Sequence, residues 1–295
     1  MRKGQFLILD VFAEEKYAGN QLAVFLDAAD FSDQEMQTLA KEMNYSETTF
    51  ILTDKIEEDG YPVRIFTPAE EVPFAGHPTL GTAYAIQKEI IKNPIDRLVL
   101  KLKIGDIPVS FTYNRNQVDS LSMVQKQPTF GEKFEVGILA EMLSLGLDDV
   151  GQRFPIQEVS TGLPFIIVPL KSLIAVKKAM VKRDLFFEFI ESREVKSLLV
   201  FCSETYSPQN QLNVRVFVDY FGIPEDPATG SANGCLAGYL VKYRYFNENK
   251  IDVRVEQGFE IGRHSHLYLR ASEDAGKFHI EVGGKVVAVA EGKLM

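Results

Sequence analysis

Val63-Arg64-Ile65-Phe66 recurs in this chain as Val214-Arg215-Val216-Phe217, at an offset of 151 residues (214 minus 63). The same ungapped spacing relates three further pairs: Ser46 and Ser197, Phe50 and Phe201, and Pro73 and Pro224. Several matches at one spacing indicate an internal duplication. The sequence therefore predicts two halves of one ancestral unit, each of about 150 residues.

Each half has the same predicted order of elements. Two strands come first, then a helical segment, a strand, the strand with the V-R-x-F motif, a Gly/Pro loop and an apolar helix, predicted over 78–88 and 231–243. In the first half, Ser32 and Glu35 form a capping box for a helix over 32–43. Short alternating strands follow each apolar helix. This pattern predicts an α+β fold of two pseudo-symmetric halves with mostly antiparallel sheet.

The domain boundaries follow from the repeat. We expect an amino-terminal lobe over 1–125 and a carboxyl-terminal lobe over 126–285, with the connection between the halves in residues 125–132. A site between two such halves is the natural expectation. Gly283-Gly284, between two alternating runs, predicts a two-residue hairpin.

Composition narrows the function classes. The chain has 295 residues, of which 45% are hydrophobic and 25% charged, and a net charge of −9. This charge disfavours nucleic acid as a partner, because phosphate recognition needs a concentrated basic surface. The sequence has no apolar run of membrane-spanning length, and residues 1–12 do not resemble a signal peptide, so we expect a cytoplasmic protein without a membrane partner.

Cysteine and histidine usage does not indicate a metal site or a disulfide framework. The two cysteines, Cys202 and Cys235, lie far apart in apolar segments, so we expect buried thiols there. His264, His266 and His279 are not spaced as metal ligands, and no metal is expected.

The two loop–helix junctions differ in the residues that carry chemistry. Both place small residues and a proline before an apolar helix, where free N–H groups and the helix dipole favour an anion. At the shared offset, however, Glu47 corresponds to Leu198 and Asp226 to Ala75. Because a structural repeat tends to keep equivalent residues alike, ionisable groups present in only one half indicate function.

Each candidate site residue also has an ordinary structural interpretation. Glu47 would be a carboxylate at a strand start, or a proton shuttle whose pKa is raised by desolvation near Tyr45 and Phe50. His77 would be a helix cap or a packed core histidine, or a group that hydrogen-bonds the substrate or assists proton transfer.

Asp226 is the third candidate for a catalytic residue, and Asn20, Gly76, Gly230 and Ser231 are candidates for substrate binding. Asp226 would be a turn residue and Ser231 a simple N-cap, or both would hold a polar substrate group that Gly230 allows to approach the backbone. Asn20, after Gly19, stabilises a turn or contacts substrate. Backbone N–H groups near Gly76 would bind a carboxylate or an enol oxygen.

Taken together, these motifs resemble the phenazine biosynthesis isomerase-like (PhzF-like) family, relatives of diaminopimelate epimerase. The stretches that carry the resemblance lie in the expected order over nearly the whole chain: LDVFAEEKYAGNQLAVF near the start, SETTFI around Glu47, RIFTPAEEVPFAGHPTLGTA around His77, GIPEDPATGSANGCLAGYL around Asp226, and VGGKVVAVAEGKL at the end.

The family resemblance implies further details of the fold and of the roles of the site residues. It implies a sheet wrapped around a central helix in each half, and a final strand at about 286–295 that returns to the first half. Glu47 would move a proton on the substrate, while His77, Asp226 and Ser231 would contact it. The family needs no cofactor and is often a homodimer.

Two departures from related enzymes limit the assignment. The two catalytic cysteines of the related epimerases correspond to Ala75 and Asp226 here, so a two-thiol mechanism is not expected. Many relatives have Gly-Asn-Pro where this chain has Gly19-Asn20-Gln21, which leaves the substrate open.

The resulting hypothesis is a cofactor-independent isomerase. It transfers a proton on a small carboxylate-bearing substrate, a cyclic or unsaturated amino or hydroxy acid. Two alternatives stay open: a hydrolase that uses Ser231, His77 and Asp226, although Ser231 lacks a G-x-S-x-G motif, and a non-catalytic protein that binds a small carboxylate.

Overall fold

The computed structural model describes residues 4–295, so the first three residues of the amino-terminal segment discussed above lie outside it. The contacts within the chain separate it into two compact units. One comprises residues up to Val124 together with Gly283–Met295, and the other comprises Gln125–Val282.

The first unit contains two α-helices and nine strands, eight of which lie at or before Val124 in the chain. The elements are β1 (Gln5–Val11), β2 (Asn20–Phe25), α1 (Asp33–Met43), β3 (Glu47–Ile51), β4 (Tyr61–Phe66), β5 (Glu71–Val72), α2 (Gly76–Ile86), β6 (Arg97–Leu102), β7 (Gly105–Asn114), β8 (Gln117–Val124) and, from the carboxyl terminus, β18 (Val286–Lys293). A π-helical turn, Gln87–Ile91, extends α2.

The sheet of the first unit is mostly antiparallel. β1 pairs antiparallel with both β2 and β18, β3 with β4, β6 with β7, and β7 with β8. The parallel pairs are β2 with β3 and β4 with β6. Nearly every residue of α2 is buried, and the helix contacts β1, β2, β3, β7 and β8. The sheet therefore wraps around α2.

After an initial strand and helix, the second unit repeats this order, with two helices in the place of α1. Its elements are β9 (Thr129–Phe134), α3 (Val136–Met142), β10 (Ile156–Ser160), β11 (Pro164–Pro169), α4 (Leu173–Lys178), α5 (Arg183–Ile190), β12 (Leu198–Cys202), β13 (Leu212–Val218), β14 (Ile223–Asp226), α6 (Gly230–Lys242), β15 (Lys250–Gln257), β16 (Ser265–Asp274) and β17 (Lys277–Gly284), whose last two residues belong to the first unit. As in the first unit, two parallel pairs, β11 with β12 and β13 with β15, interrupt an antiparallel pattern.

The central helix of the second unit is α6, which is buried along most of its length and contacts β10, β11, β15 and β16. A separate apolar core lies where α3, α4 and α5 cover β11 and β12. The prediction of an α+β fold with two similar halves, each a mostly antiparallel sheet around a central helix, is confirmed.

Of two local features predicted from the sequence, the capping box of α1 is present and the hairpin at Gly283-Gly284 is not. The capping box of α1 is present, with the Ser32 hydroxyl accepting from the Glu35 N–H and the Glu35 carboxylate accepting from the Ser32 N–H. The hairpin predicted at Gly283-Gly284 is wrong, because both glycines belong to β17 and neither has a positive φ. A Cβ on Gly283 would lie 2.5 Å from the Leu121 carbonyl oxygen, so close backbone packing explains this glycine.

Candidate functional site

Glu47 is the first residue of β3, opposite Leu22 in the parallel pairing with β2. Its side chain is 19% exposed, so it lies neither in bulk solvent nor in the sealed interior. The apolar residues that follow it are buried, and Phe50 stacks on Phe25 with ring centroids 5.0 Å apart. This packing fixes the strand that carries the carboxyl group.

His77 is the second residue of α2 and lies directly beside Glu47. The Nε2 atom of His77 is 3.4 Å from the Oε2 atom of Glu47, and the imidazole is only 6% exposed. Burial lowers the pKa of His77 to about 3, although a hydrogen bond to the backbone of Gln21 acts in the opposite direction. The imidazole is therefore neutral near pH 7, and the contact joins a neutral ring to a carboxyl group rather than two opposite charges.

The start of α2 has no side-chain cap. Its N-cap residue is Ala75, and its first turn holds no acidic residue. Gly76 is the first helical residue and is buried. The backbone N–H groups at this end thus carry the partial positive charge of the helix without a side chain that neutralises it. The interpretation of His77 as a helix cap is wrong, because Ala75 holds that position.

A buried hydrogen bond fixes α2 against β3. The Thr82 hydroxyl donates to the Thr49 hydroxyl over 2.8 Å. Thr49 lies two residues after Glu47 on the same face of the strand. The bond therefore sets how the helix that carries His77 lies against the strand that carries Glu47.

Asn20 begins β2 and is 2% exposed. It follows Gly19, which has a φ of +64° and whose Cβ would lie 2.3 Å from the Val11 carbonyl oxygen. Only glycine fits such a turn. Asn20 and Gln21 open the strand whose backbone contacts His77, so these two residues, Glu47, Gly76 and His77 belong to neighbouring parts of the first unit.

Asp226, Gly230 and Ser231 lie within one short segment of the second unit. Asp226 ends β14 and is 9% exposed, and Gly230 begins α6. Ser231 is the second residue of α6, and the N-cap position belongs to Thr229. The interpretation of Ser231 as a simple N-cap is therefore wrong.

Sequence reasoning missed the polar side chains that surround Asp226. The Thr229 hydroxyl donates to Asp226 Oδ2, and Gln257 and Asn233 continue the same hydrogen-bond network. Gln257 and Asn233 are fully buried. Asn233, which lies in a run of small and apolar residues, was the available signal, because a buried polar side chain needs a partner. Gln257 follows Arg254 and Glu256, so its surroundings in the sequence gave no such signal.

Other features of the described chain do not extend the site. A cavity of about 210 Å³ in the first unit is lined by residues that include Arg64, Glu71, Lys101 and Lys103, but neither Glu47 nor His77. Within residues 4–295, no three His, Cys, Asp or Glu side chains cluster as metal ligands. No helix in that range has the length and apolar character to cross a membrane.

Burial raises the pKa of both thiols, Cys202 and Cys235, to about 12. Both are buried, as predicted, and neither is activated as a nucleophile.

Comparison with known proteins identifies the family. The model of the phenazine biosynthesis-like protein family, PhzC-PhzF, matches residues 9–292. A trans-2,3-dihydro-3-hydroxyanthranilate isomerase from Pseudomonas aeruginosa is 38% identical over 98% of both chains. A protein of the same name from Pseudomonas chlororaphis is 34% identical over 98% of this chain and 99% of its own.

Solved structures agree with the sequence relatives. The phenazine biosynthesis protein of the PhzF family from Bacillus anthracis is 28% identical and covers 100% of both chains, with a TM-score of 0.90. These matches confirm the resemblance that the motifs indicate, and the two Pseudomonas relatives are isomerases by name. The chain therefore belongs to the phenazine biosynthesis-like protein family, and it is an enzyme of the isomerase class.

Proposed function

We propose that this isomerase moves a proton between two carbons of a small carboxylate-bearing substrate, a cyclic or unsaturated amino or hydroxy acid, with Glu47 as the acid/base group. The observation that carries the proposal is the 3.4 Å contact between Glu47 Oε2 and His77 Nε2 at the uncapped start of α2. A carboxyl group that is largely withdrawn from water beside a neutral imidazole is suited to proton transfer.

The proposed step balances with one residue. The Glu47 carboxylate takes a proton from a substrate carbon, and the electron pair left behind is delocalised as an enolate. Glu47 then returns the proton to a different carbon of the conjugated system. No electrons are gained or lost overall, so the step requires acid/base chemistry alone.

His77 assists this step as a neutral group. Because its pKa is lowered to about 3, the ring can donate or accept a hydrogen bond without introducing a charge. A neutral imidazole beside Glu47 lets the carboxyl group cycle between its protonated and ionised forms. The N–H groups near Gly76 would stabilise negative charge that develops on a substrate oxygen.

The remaining candidate residues would bind the substrate. We assign Asn20 in the first unit, and Asp226, Gly230 and Ser231 in the second, to polar substrate groups. The relatives named trans-2,3-dihydro-3-hydroxyanthranilate isomerase support a cyclic hydroxy amino acid as the substrate class. Gln21, which stands where many relatives have proline, is exposed and would adjust substrate choice.

A turnover screen tests the substrate class. Purified protein would be incubated with trans-2,3-dihydro-3-hydroxyanthranilate and a panel of cyclic and unsaturated amino and hydroxy acids, and products would be followed by proton NMR. We expect one or more carboxylates to isomerise and their methyl esters to fail. The proposal is wrong if the esters turn over equally well, or if a fluorophosphonate labels Ser231 and inactivates the protein as it would a serine hydrolase.

A further inference from the structure

In the hydrogen-bond network around Asp226, two backbone groups determine which side-chain atoms donate and which accept. Gln257 contacts two main-chain groups: its Oε1 accepts from the Thr229 N–H over 3.3 Å, and its Nε2 donates to the Asp226 carbonyl over 2.9 Å. An amide N–H can only donate and a carbonyl can only accept. The orientation of the Gln257 amide is therefore fixed without reference to any side chain.

The Thr229 hydroxyl takes its direction from Gln257. The Nε2 of Gln257 also donates to Thr229 Oγ1 over 3.0 Å, which uses its second proton. A hydroxyl has one proton of its own. Since Thr229 Oγ1 accepts from Gln257, its proton is available for Asp226 Oδ2, which lies within hydrogen-bond distance.

Asn233 extends the network as a donor, in agreement with the orientation of Gln257. Its Nδ2 donates to the Thr229 carbonyl over 3.0 Å and to Gln257 Oε1 over 2.8 Å. Asn233 and Gln257 are both 0% exposed, so water does not compete for these bonds. Hydrogen bonds are stronger in a buried setting, so the four bonds that join Thr229, Asn233 and Gln257 favour one arrangement of these residues.

The position of Thr229 makes this arrangement notable. Threonine at an N-cap ordinarily accepts a hydrogen bond from the first turn of its helix. Thr229 is the N-cap of α6, yet its side chain makes no such bond. Its hydroxyl is used for Asp226 instead, which favours a role at the site over a role in helix stability.

We propose that Asn233, Gln257 and Thr229 form a directional relay that keeps Asp226 Oδ2 a hydrogen-bond acceptor and holds its carboxylate in one orientation. The three are positioning residues, and the inference rests on the proposed function, in which Asp226 contacts substrate. The relay makes Asp226 a group that receives a proton or a hydrogen bond from the substrate, rather than one that donates to it.

Neutron diffraction from crystals exchanged into D2O tests the relay without any substrate. We expect a deuterium atom bonded to Thr229 Oγ1 and pointing at Asp226 Oδ2, and two on Gln257 Nε2 pointing at Thr229 Oγ1 and the Asp226 carbonyl. Deuterium bonded to Asp226 Oδ2, or a Thr229 hydroxyl pointing elsewhere, would overturn the proposal.

Crystal structures of two threonine variants test the positioning role. In Thr229→Val the Asp226 carboxylate should adopt a different rotamer or several, whereas Thr229→Ser should retain the wild-type orientation. Thr205→Val is the matched control, because it removes a hydroxyl that donates to the Ser207 carbonyl elsewhere in the same unit. An Asp226 carboxylate that stays fixed in Thr229→Val would overturn the role.

Kinetics with trans-2,3-dihydro-3-hydroxyanthranilate, or with a hit from the screen, separates this inference from the proposed function. Loss of one oriented hydrogen bond predicts that Thr229→Val lowers kcat about tenfold, with Thr229→Ser near wild type. A Thr229→Val variant as active as Thr205→Val would contradict the relay alone. Turnover that survives Glu47→Gln would contradict the proposed function and leave the deuterium positions as the test of the relay.

Discussion

At the scale of single residues, the candidate site of the first unit consists of a carboxyl group and an imidazole in direct contact. Glu47 was identifiable from sequence because an ionisable residue present in only one half of a repeat stands out, and His77 was identifiable from its place at the predicted start of an apolar helix and from the family motif around it. Their 3.4 Å contact was not, since it depends on how α2 packs against β3. The raised pKa that desolvation predicts for Glu47 stays a prediction.

The neutral state of His77 has a consequence for stability. Its pKa in the folded protein, about 3, lies below the ordinary value of 6.5, so the unfolded state binds more protons between these values. Stability should therefore be unaffected by His77 above pH 6.5 and fall as the pH drops below it. At 1.36 kcal/mol per pKa unit, the loss attributable to His77 reaches about 2 kcal/mol at pH 5.

Urea unfolding at pH 7, 6 and 5 checks this prediction. The free energy of unfolding of the wild type should fall by about 2 kcal/mol more than that of His77→Asn over this range. His279→Asn, which alters an exposed histidine, should follow the wild type. Parallel curves for wild type and His77→Asn would refute the neutral, buried imidazole.

At the scale of elements, two kinds of contact hold the strands and helices that carry the site. One is the hydroxyl pair between Thr82 of α2 and Thr49 of β3. The other involves the arginine of each V-R-x-F strand: Arg64 pairs with Glu71 on β5, and Arg215 pairs with Glu225 on β14. β5 and β14 immediately precede the junctions into α2 and α6, so the repeated motif fixes the approach to both.

The hydroxyl pair predicts a non-additive effect. Thr82→Val leaves the buried Thr49 hydroxyl without its partner, which should cost about 1–3 kcal/mol of unfolding free energy. The double variant Thr49→Val/Thr82→Val removes both polar groups and should be more stable than Thr82→Val alone. Chemical denaturation of the two variants and the wild type measures this, and a double variant that is no more stable than Thr82→Val would count against the contact.

The two arginines should differ in their importance for stability. Arg215 and Glu225 are only 11% and 7% exposed, and Arg215 also donates to the Val176 and Ala179 carbonyls near the end of α4. Arg215→Gln should therefore cost about 3–5 kcal/mol, because it leaves a buried carboxylate uncompensated.

Arg64→Gln is the matched comparison, and it should cost about 1 kcal/mol or less. Arg64 and Glu71 are 24% and 22% exposed, and the second partner of Arg64, Asp33, is 85% exposed. Urea midpoints of the two variants provide the test. Equal losses would show that burial does not decide the strength of these pairs.

Sequence patterns predicted which helices and strands form better than they predicted where these elements begin or which turns join them. The two apolar helices were predicted from the spacing of their apolar residues and from the Gly/Pro loop before each of them. In the structure each begins earlier than predicted, at Gly76 and Gly230. Gly283-Gly284 was misassigned because a glycine pair signals a turn and close backbone packing equally well. The π-helical turn over Gln87–Ile91 had no recognisable signal.

At the scale of the whole molecule, the duplication explains why the sequence predicted so much. Two units with the same strand order place α2 and α6 in equivalent positions, so a difference at one junction is informative about chemistry. The relay through Gln257 was beyond sequence reasoning, because it joins residues 31 positions apart through side-chain amides. The homodimer implied by the family resemblance stays a prediction.

The central claim is that Glu47 carries the proton, and deuterium incorporation from D2O tests it most directly. Proton NMR would follow uptake of deuterium into the carbon positions of a turned-over substrate. Glu47→Gln should slow uptake on the order of 100- to 10,000-fold, while Glu42→Gln, an exposed glutamate on α1, should match the wild type. Uptake at the wild-type rate by a folded Glu47→Gln protein would contradict the account.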